Sequence, residues 1–570
     1  MTVKPPIEVA FFSMEIMLES DIPTYAGGLG VLAGDMLHSA ADMGVPMVGV
    51  SLVYSGDTFS QNISLDGSQY FTRTDWQKLD QLTKLPTKVE IEVAGQKVYV
   101  GCWRYDYVGY TGHVVPVYLL DTNSLENPPW TREFTFNLYS SNGDIRICQE
   151  LVLGIGGVKM LHALGYTEIG KYHLNEGHAA FTTLELLAEN GYKDDEVRKK
   201  CIFTTHTPVP EGHDKFDWGK AYHFAGIYLP WHAKKLAGED CLNMTKLAIS
   251  LSGKSFAVSR KHKQVSDSLF PGVNFDYVTN GVHNHNWTAP TIQNMFDQYI
   301  PGWYTDPSQL ARVPQSIPDD IFWQYHQDAK SKLVRYVNAH LTSVTTLSEK
   351  NDPLKNELFN TDVLTISLAR RPVAYKRPLL LYHDLARFVR IGAGRLQIIQ
   401  CGKSHPDDNI SQEIVREIVA YSKKFKDILK IVYLEEYSPK VARLLVSGSD
   451  VWLNTPKRPL EASGTSGMKA AFNGILNFSV LDGWWIEAYE QNPQAGFSIG
   501  RLDGGVVPID TDEEDANDLY DKLEHQIIPL YYSNRTSWIA RMKQAVTLAS
   551  YYNTHRVVAD YRAKGWKNTP

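Results

Sequence analysis

The 570-residue chain has few cysteines and no cysteine pairing pattern. Its five (Cys102, Cys148, Cys201, Cys241, Cys401) are scattered and none stands in CxxC spacing. That excludes a disulfide framework or a cysteine-based zinc module; reduced thiols and a cytoplasmic location are expected. No apolar run approaches the roughly 18 residues that span a bilayer. Met1-Thr-Val-Lys-Pro-Pro has no signal-peptide core, and Glu15 and Glu19 interrupt the apolar stretch that follows, so no membrane partner is expected. Neither charge sign dominates: 57 basic and 64 acidic side chains leave −7, which argues against a general nucleic-acid binder while leaving room for a local basic pocket. No HExxH is present. Glu176-Gly-His178 and His283-Asn-His285 come nearest to a metal motif and lack its spacing, so no metal is expected. No low-complexity tract or internal repeat occurs.

What is present is an ordinary globular composition, 43% hydrophobic and 21% charged. The chain is too long for one core, so two or three domains are expected. Thirteen Trp and 31 Tyr exceed what binding alone would use, and most must be core. Such flat faces also suit carbohydrate, whose C–H faces stack on rings. Of the pair Trp484-Trp485, one is expected in the core and one at the cleft.

The pattern predicts α/β architecture in two halves. Val9–Ser13 reads as a buried strand, Tyr25-Ala-Gly-Gly-Leu-Gly30 as a glycine turn, Val31–Met43 as a helix and Val45–Val53 as a second strand, together a Rossmann-like unit. Val89–Val100 reads as a hairpin, Ile145–Leu164 as a long helix and Lys200–Thr205 as a strand. A second start follows: strands at Val363–Leu368, Leu396–Gln400, Ile428–Leu434 and Asp450–Asn454, with a helix over Leu379–Ile391. Residues 317–344 read as a helical connector and Trp538–Trp566 as a helical tail. The expected division is an N-terminal domain over 1–281 and a C-terminal domain over 282–570, the latter holding a Rossmann-like region at about 361–540. Two doubly wound domains facing a central cleft, with ligands at the strands' carboxyl ends, is the fold expected.

The segment Glu461-Ala-Ser-Gly-Thr-Ser-Gly-Met-Lys469 carries the densest chemistry. Gly464 and Gly467 let the backbone approach a ligand; Ser463, Thr465 and Ser466 add hydroxyl and N–H donors, a suitable cradle for phosphate at a helix start. Lys469 lies among Met468, Ala470, Ala471 and Phe472, where a free cation is costly and a Schiff base with an aldehyde cofactor is favoured. A phosphate cradle beside an amine suggests pyridoxal phosphate. A plain turn with a solvated lysine fits the local chemistry too, and no Gly-Lys-Ser/Thr makes this a Walker loop.

Extended through Asn473-Gly474 and Leu481-Asp482-Gly483, the segment resembles the cofactor-lysine motif of the α-glucan (glycogen, starch, maltodextrin) phosphorylases. Other segments resemble the family in order along the chain. Gly27 and Gly28 match a loop that gives backbone N–H groups to the substrate phosphate, a loop that glycogen and starch synthases share. In Ala369–Arg377, Arg371 and Lys376 match the pair that holds inorganic phosphate, a planar fork and a point charge; Val373 stands where long members carry a histidine. His206, in Thr205-His-Thr207, matches the histidine that touches the donor sugar. Asn280 matches an asparagine on a sugar hydroxyl, Glu461 a carboxylate on glucose hydroxyls, and His178, in Leu174-Asn-Glu-Gly-His178, a segment nearer the acceptor sugar. Tyr437, in Leu434-Glu-Glu-Tyr437, matches a position beside cofactor and phosphate.

The resemblance implies a two-domain glycosyltransferase (GT-B) fold and an α-1,4-glucan phosphorylase. Such an enzyme moves a terminal glucose of glycogen or maltodextrin onto inorganic phosphate, with retention, to give α-glucose 1-phosphate. It implies pyridoxal 5′-phosphate on Lys469, with Gly464, Thr465 and Tyr437 about it. It implies Lys469, Arg371, Lys376 and His206 as catalytic residues, and Gly27, Gly28, Asn280, Glu461, Ser463 and His178 as substrate ligands. A sugar-nucleotide glucosyltransferase and a non-catalytic glucan-binding relative are the rivals; a pyridoxal chromophore would separate the first, and intact Lys469, Arg371 and Lys376 argue against the second. A monomer or dimer is expected. Because the resemblance begins at Val9-Ala-Phe-Phe-Ser-Met-Glu15, the family's N-terminal regulatory segment has no counterpart, and activity without AMP or N-terminal phosphorylation is expected.

Overall fold

The computed structural model describes residues 3–19, 22–56, 58–64, 66–74, 81–345, 358–501 and 511–567. Met1 and Thr2, and residues 502–510 of the expected second Rossmann-like region, lie outside these. The chain forms two compact units. The first comprises Met1–Thr58, Thr74–His283 and Thr554–Pro570, the second Phe59–Arg73 and Asn284–Asn553.

In the first unit nine strands form one sheet: β1 (Ile7–Ser13), β2 (Met47–Leu52), β3 (Thr83–Val93), β4 (Gln96–Val108), β5 (Val114–Asp121), β6 (Ile169–Asn175), β7 (Cys201–Thr204), β8 (Lys254–Ala257) and β9 (Asp276–Tyr277). Their spatial order is β9-β8-β7-β6-β1-β2-β5-β4-β3. The run β5-β2-β1-β6-β7-β8 is the doubly wound order, parallel throughout; the predicted hairpin, β3 and β4, adds antiparallel strands beyond it. β1 is apolar on both faces because both are covered. Val9 and Phe11 pack on Leu32, Met36 and Leu37 of helix α1 (Gly28–Asp42) and on Val557 and Val558. Ala10 and Phe12, alternating to the other face, pack with Ile147, Leu151, Val158 and Leu161. The helix expected over Ile145–Leu164 is present, with a π turn at Val152–Gly156. Gly157 there lets it lie on the sheet: a Cβ would stand 2.6 Å from Phe12 Cε1.

In the second unit, six parallel strands, β10 (Leu364–Ala369), β11 (Leu396–Cys401), β12 (Lys430–Leu434), β13 (Val451–Asn454), β14 (Leu476–Val480) and β15 (Gly496–Ile499), order as β12-β11-β10-β13-β14-β15. The 27-residue helix Asp319–Thr345 is tied to this sheet by buried polar bonds. Asp450 accepts from Lys330 at 2.5 Å and from the Thr365 N–H at 2.7 Å, and pairs with His326 at 2.9 Å. Two doubly wound units make this a GT-B fold.

Three local expectations need correction. Leu379–Ile391 is not one helix: a short 3₁₀ turn, Leu380–Tyr382, precedes a helix at Leu385–Gly392, because Asp384 caps the latter by accepting from the Arg387 N–H at 2.9 Å. The tail breaks at Ser550–Asn553 between helices Arg535–Ala549 and Thr554–Tyr561. The second of these packs in the first unit, where Thr554 Oγ1 lies 2.6 Å from Ser39 Oγ and Arg562 forks onto Glu8. Trp484 and Trp485 are both core, 3% and 0% exposed.

Candidate active site

Every candidate side chain in the second unit follows a strand's carboxyl end or the loop before helix Ser466–Phe472. Lys469 lies on that helix, 7% exposed, with its Nζ 3.7 Å from the centroid of the Trp287 ring. Asn473 sets this pair: its Nδ2 donates to the carbonyls of Lys469 (2.9 Å) and Trp287 (2.8 Å), and its Oδ1 accepts from the Ala289 N–H (2.8 Å). Gly464 needs its φ of +78°. Gly467 has a different task from the one expected: a Cβ there would meet Asn477 Oδ1 at 2.2 Å and the Trp484 ring at 3.0 Å, so it serves helix packing, not ligand approach. The Ser463 hydroxyl is buried without a partner among the described residues. Thr465 precedes the helix and makes no side-chain cap.

After β10 the basic segment divides its labour. Glu461 accepts from Lys376 Nζ at 2.6 Å and Arg370 Nη2 at 2.8 Å. Burial would raise its pKa, but the two cations outweigh this and hold it at about 2. Arg370 Nε and Nη1 are buried without partners among the described residues, while Arg371 is exposed. Arg377 turns inward at φ +45° and is structural, donating to the carbonyls of Thr455 and Pro456 and pairing with Asp512 and Asp515. After β12, Glu436 accepts from the Gln61 N–H at 2.5 Å and from Lys403 at 3.0 Å, and Tyr437, half-buried, follows it.

The first unit gathers its candidates, Asn280 apart, after the carboxyl ends of β1, β6 and β7, where the strand order reverses. Gly27 and Gly28 leave open space where a Cβ would stand. Glu176, at φ +78°, accepts from the His206 N–H (2.7 Å) and Thr207 Oγ1 (2.9 Å). Asn175 donates to Ser13 Oγ (3.0 Å), which leaves its Oδ1 to accept from His206 Nε2 (2.8 Å) and assigns the neutral Nε2–H tautomer. Burial pushes His206 and His178 down to about 4. His178 Nε2 lies 3.4 Å from Asp214, which also takes Arg146 at 2.7 Å. Arg146 and Asp214, with Tyr139 and Lys220, line a cavity of about 360 Å³. Asn280, buried, lies beyond β9, where its carbonyl accepts from Arg556. His38, Asp42 and His283 bring ligand-type atoms within 4.8 Å of one another. The His38 and His283 rings are stacked at 4.1 Å and 9°, however, so their in-plane nitrogens do not converge on one ion; His283 Nε2 pairs with Asp42 at 2.9 Å.

Residues 235–528 match the carbohydrate phosphorylase family, and residues 8–276 match the starch synthase catalytic domain. Maltodextrin phosphorylase of Thermococcus litoralis is 37% identical over 97% of this chain and 70% of its own length. Glycogen phosphorylase of Aquifex aeolicus is 34% identical over 98% of this chain and 86% of its own, and that of Mycobacterium bovis 33% over 98% and 70%. This chain belongs to the carbohydrate phosphorylase family. No helix among its described residues is long and apolar enough to cross a membrane.

In this phosphorylase-family chain the structure brings Lys376 and Gly464 to Glu461, holds Lys469, Ser463 and Thr465 in the same unit, and sets His206 and His178 around Glu176 in the other. Sequence reasoning missed Trp287 and Arg370, and took Asn473 as part of the motif without giving it a role. Trp287 and Asn473 are far apart in sequence and meet only through the fold. Arg370 stands beside Arg371 in the same basic run, and residue type alone does not tell which guanidinium turns inward.

Proposed function

We propose that the protein is an α-1,4-glucan phosphorylase that uses pyridoxal phosphate. It would cleave the terminal glucosidic bond of maltodextrin or glycogen with inorganic phosphate, releasing α-glucose 1-phosphate with retained configuration and a glucan one unit shorter. The observation that carries this reading is Lys469 lying on the Trp287 ring in an apolar helix, with Arg370 nitrogens and a Ser463 hydroxyl in the same unit that are buried without a hydrogen-bond partner among the described residues. These donors fit an anionic aldehyde cofactor: a flat ring for the heterocycle, an amine for the aldehyde and charged hydrogen bonds for phosphate. When bound, pyridoxal phosphate supplies a phosphate monoester that titrates near pH 6.

Lys469 would hold the cofactor, with Gly464, Thr465 and Tyr437 beside it. Arg371 and Lys376 would hold substrate phosphate, acting by electrostatic preorganisation. Glu461, kept ionised by Arg370 and Lys376, accepts hydrogen bonds and suits glucose hydroxyls. The Gly28 N–H would go to the substrate oxyanion; the Gly27 N–H is taken by Glu15 Oε2 at 3.1 Å, so Gly27 would serve through its missing side chain, which leaves open space for the substrate. His206, neutral at pH 7, can hydrogen-bond a sugar hydroxyl without adding positive charge near an oxocarbenium-like transition state. Asn280, Ser463 and His178 complete the sugar-binding set.

The test is initial-rate phosphorolysis of maltodextrin with and without phosphate, with the product anomer read by NMR and the cofactor by absorbance. Phosphate-dependent α-glucose 1-phosphate and stoichiometric pyridoxal are expected; a protein with neither refutes the reading. A second reading, glucosyl transfer from a sugar nucleotide, has the starch synthase match of residues 8–276 in its favour. Turnover of a sugar nucleotide without pyridoxal would establish it instead.

A further inference from the structure

Gly30, the last glycine of the turn, has a task distinct from Gly27 and Gly28. A Cβ on Gly30 would stand 2.5 Å from Tyr25 Cβ and 2.8 Å from Glu15 Oε2. Its missing side chain therefore makes room for a carboxylate of the protein. Glu15 is 3% exposed. Its Oε2 accepts from the N–H groups of Ala26 (2.7 Å) and Gly27 (3.1 Å), and its Oε1 from the Tyr139 hydroxyl (2.7 Å). The same segment fastens both ends of the turn: the Ile16 N–H donates to the Thr24 carbonyl at 3.0 Å and the Met17 N–H to the Gly30 carbonyl at 2.9 Å.

Tyr139 is itself held. Its backbone takes φ +54°, the Arg146 guanidinium lies over its ring at 4.6 Å, and the His178 ring stands at 5.4 Å. A glycine-rich turn left alone samples many conformations, and an oxyanion is held well only by N–H groups fixed in advance. The carboxylate satisfies the two inward N–H groups. The N–H groups of Gly28 and Leu29, in the first turn of α1, have no intrahelical acceptor.

We propose that Glu15 and Tyr139 are positioning residues for the reaction. Tyr139 orients the Glu15 carboxylate, and Glu15 fixes the 26–30 turn so that its remaining N–H groups meet the substrate oxyanion. This rests on the glycine-turn role given under the proposed function. Phosphate affinity then depends on two side chains that do not touch phosphate.

The experiment uses the full chain and the variants Glu15→Gln and Tyr139→Phe. Inorganic phosphate binding is measured by calorimetry, and initial rates are measured with phosphate and maltodextrin varied separately. The expected result is weaker phosphate binding, about tenfold for Glu15→Gln and about threefold for Tyr139→Phe, with a matching rise in phosphate KM. Maltodextrin KM, pyridoxal content and melting temperature should stay near wild type. Unchanged phosphate affinity in both variants overturns the inference, as does a loss confined to melting temperature and cofactor content, which marks a merely structural role. If Glu15→Gln does not fold, Tyr139→Phe decides alone. A wild type that binds phosphate but does not phosphorolyse glucan defeats the functional reading and leaves the binding arm to judge this one; a wild type that binds no phosphate overturns both.

Discussion

Lys469 and the adjacent arginines 370 and 371 show how much one residue's surroundings decide. Replacing Lys469 by Ala should yield protein without stoichiometric pyridoxal and without phosphorolysis, read by absorbance and by assay. Arg370 and Arg371 should separate cleanly. Arg370→Ala removes a charged hydrogen bond from the mostly buried Glu461 and should cost about 2 kcal/mol in urea unfolding. Arg371→Ala alters an exposed side chain and should leave stability within about 0.5 kcal/mol. If it holds phosphate as proposed, it should weaken phosphate-dependent rate by one to two decades, or about 1.5–3 kcal/mol. Equal stability losses in the two variants would contradict the division seen here. Glu461 adds a pH signature. Its folded pKa of about 2 lies below the ordinary 4.5, so its stabilisation is complete above pH 4.5 and disappears as pH falls toward 2. The full swing is about 3 kcal/mol, and Glu461→Gln should remove that part of the acid slope.

At the scale of elements, the strands were the legible part. β1, β2, β10, β11 and β12 are short apolar runs bounded by turn residues, and both faces of each are covered, so the hydrophobic run and the fold carry the same information. The helices that broke, at His383–Asp384 and Ser550–Asn553, were less legible, because a capping aspartate or a change of packing partner leaves apolar spacing intact on either side. For the site, motif segments placed Lys376 and His206 after strand ends and Glu461 and Lys469 in the 461–469 segment. The contacts that orient them come from far along the chain, as Trp287 does for Lys469. Glycines were the hardest to read, since identical residues serve an open face at Gly27, a carboxylate at Gly30 and packing at Gly467. Gly34 gives a direct check. A Cβ there would stand 2.2 Å from the Met17 carbonyl oxygen, and backbone yields less readily than a side chain. Gly34→Ala should therefore destabilise by about 2–3 kcal/mol despite the gain in helix propensity, measured by thermal unfolding; a stabilised variant would show that α1 can move off this segment.

Across the whole molecule, the two units differ in how they store charge. The second unit's most buried ionic set, Asp450 with Lys330 and His326, is paired internally. The first unit buries more histidines in neutral form: burial brings His173 to about 3 and His178, His206 and His262 to about 4. An unfolded histidine binds a proton near pH 6.5. Between pH 6.5 and 4 the unfolded chain therefore takes up protons that the folded unit refuses, and stability falls as pH falls. At pH 5 each such histidine accounts for about 2 kcal/mol. His162, raised by its hydrogen bond to Glu189, acts in the opposite sense but is a single, partly exposed group. The first unit should thus lose several kcal/mol between pH 7 and pH 5; the second, where burial lowers only His326 and His340 among the described residues, should lose less, and Asp450, held below its ordinary 3.8, stays ionised in both states and contributes no slope. Hydrogen exchange at the two pH values, resolved by peptide, should show protection falling further in β6 and β7 than in β10 and β13. His262→Gln should flatten the pH dependence of first-unit unfolding by about 2 kcal/mol, since its ring accepts the Val258 N–H at 3.3 Å through Nδ1 and burial outweighs the opposing Thr207 backbone in keeping it neutral. Equal loss of protection in both units, or none in the first, would mean that these histidines already exchange protons with solvent in the folded state.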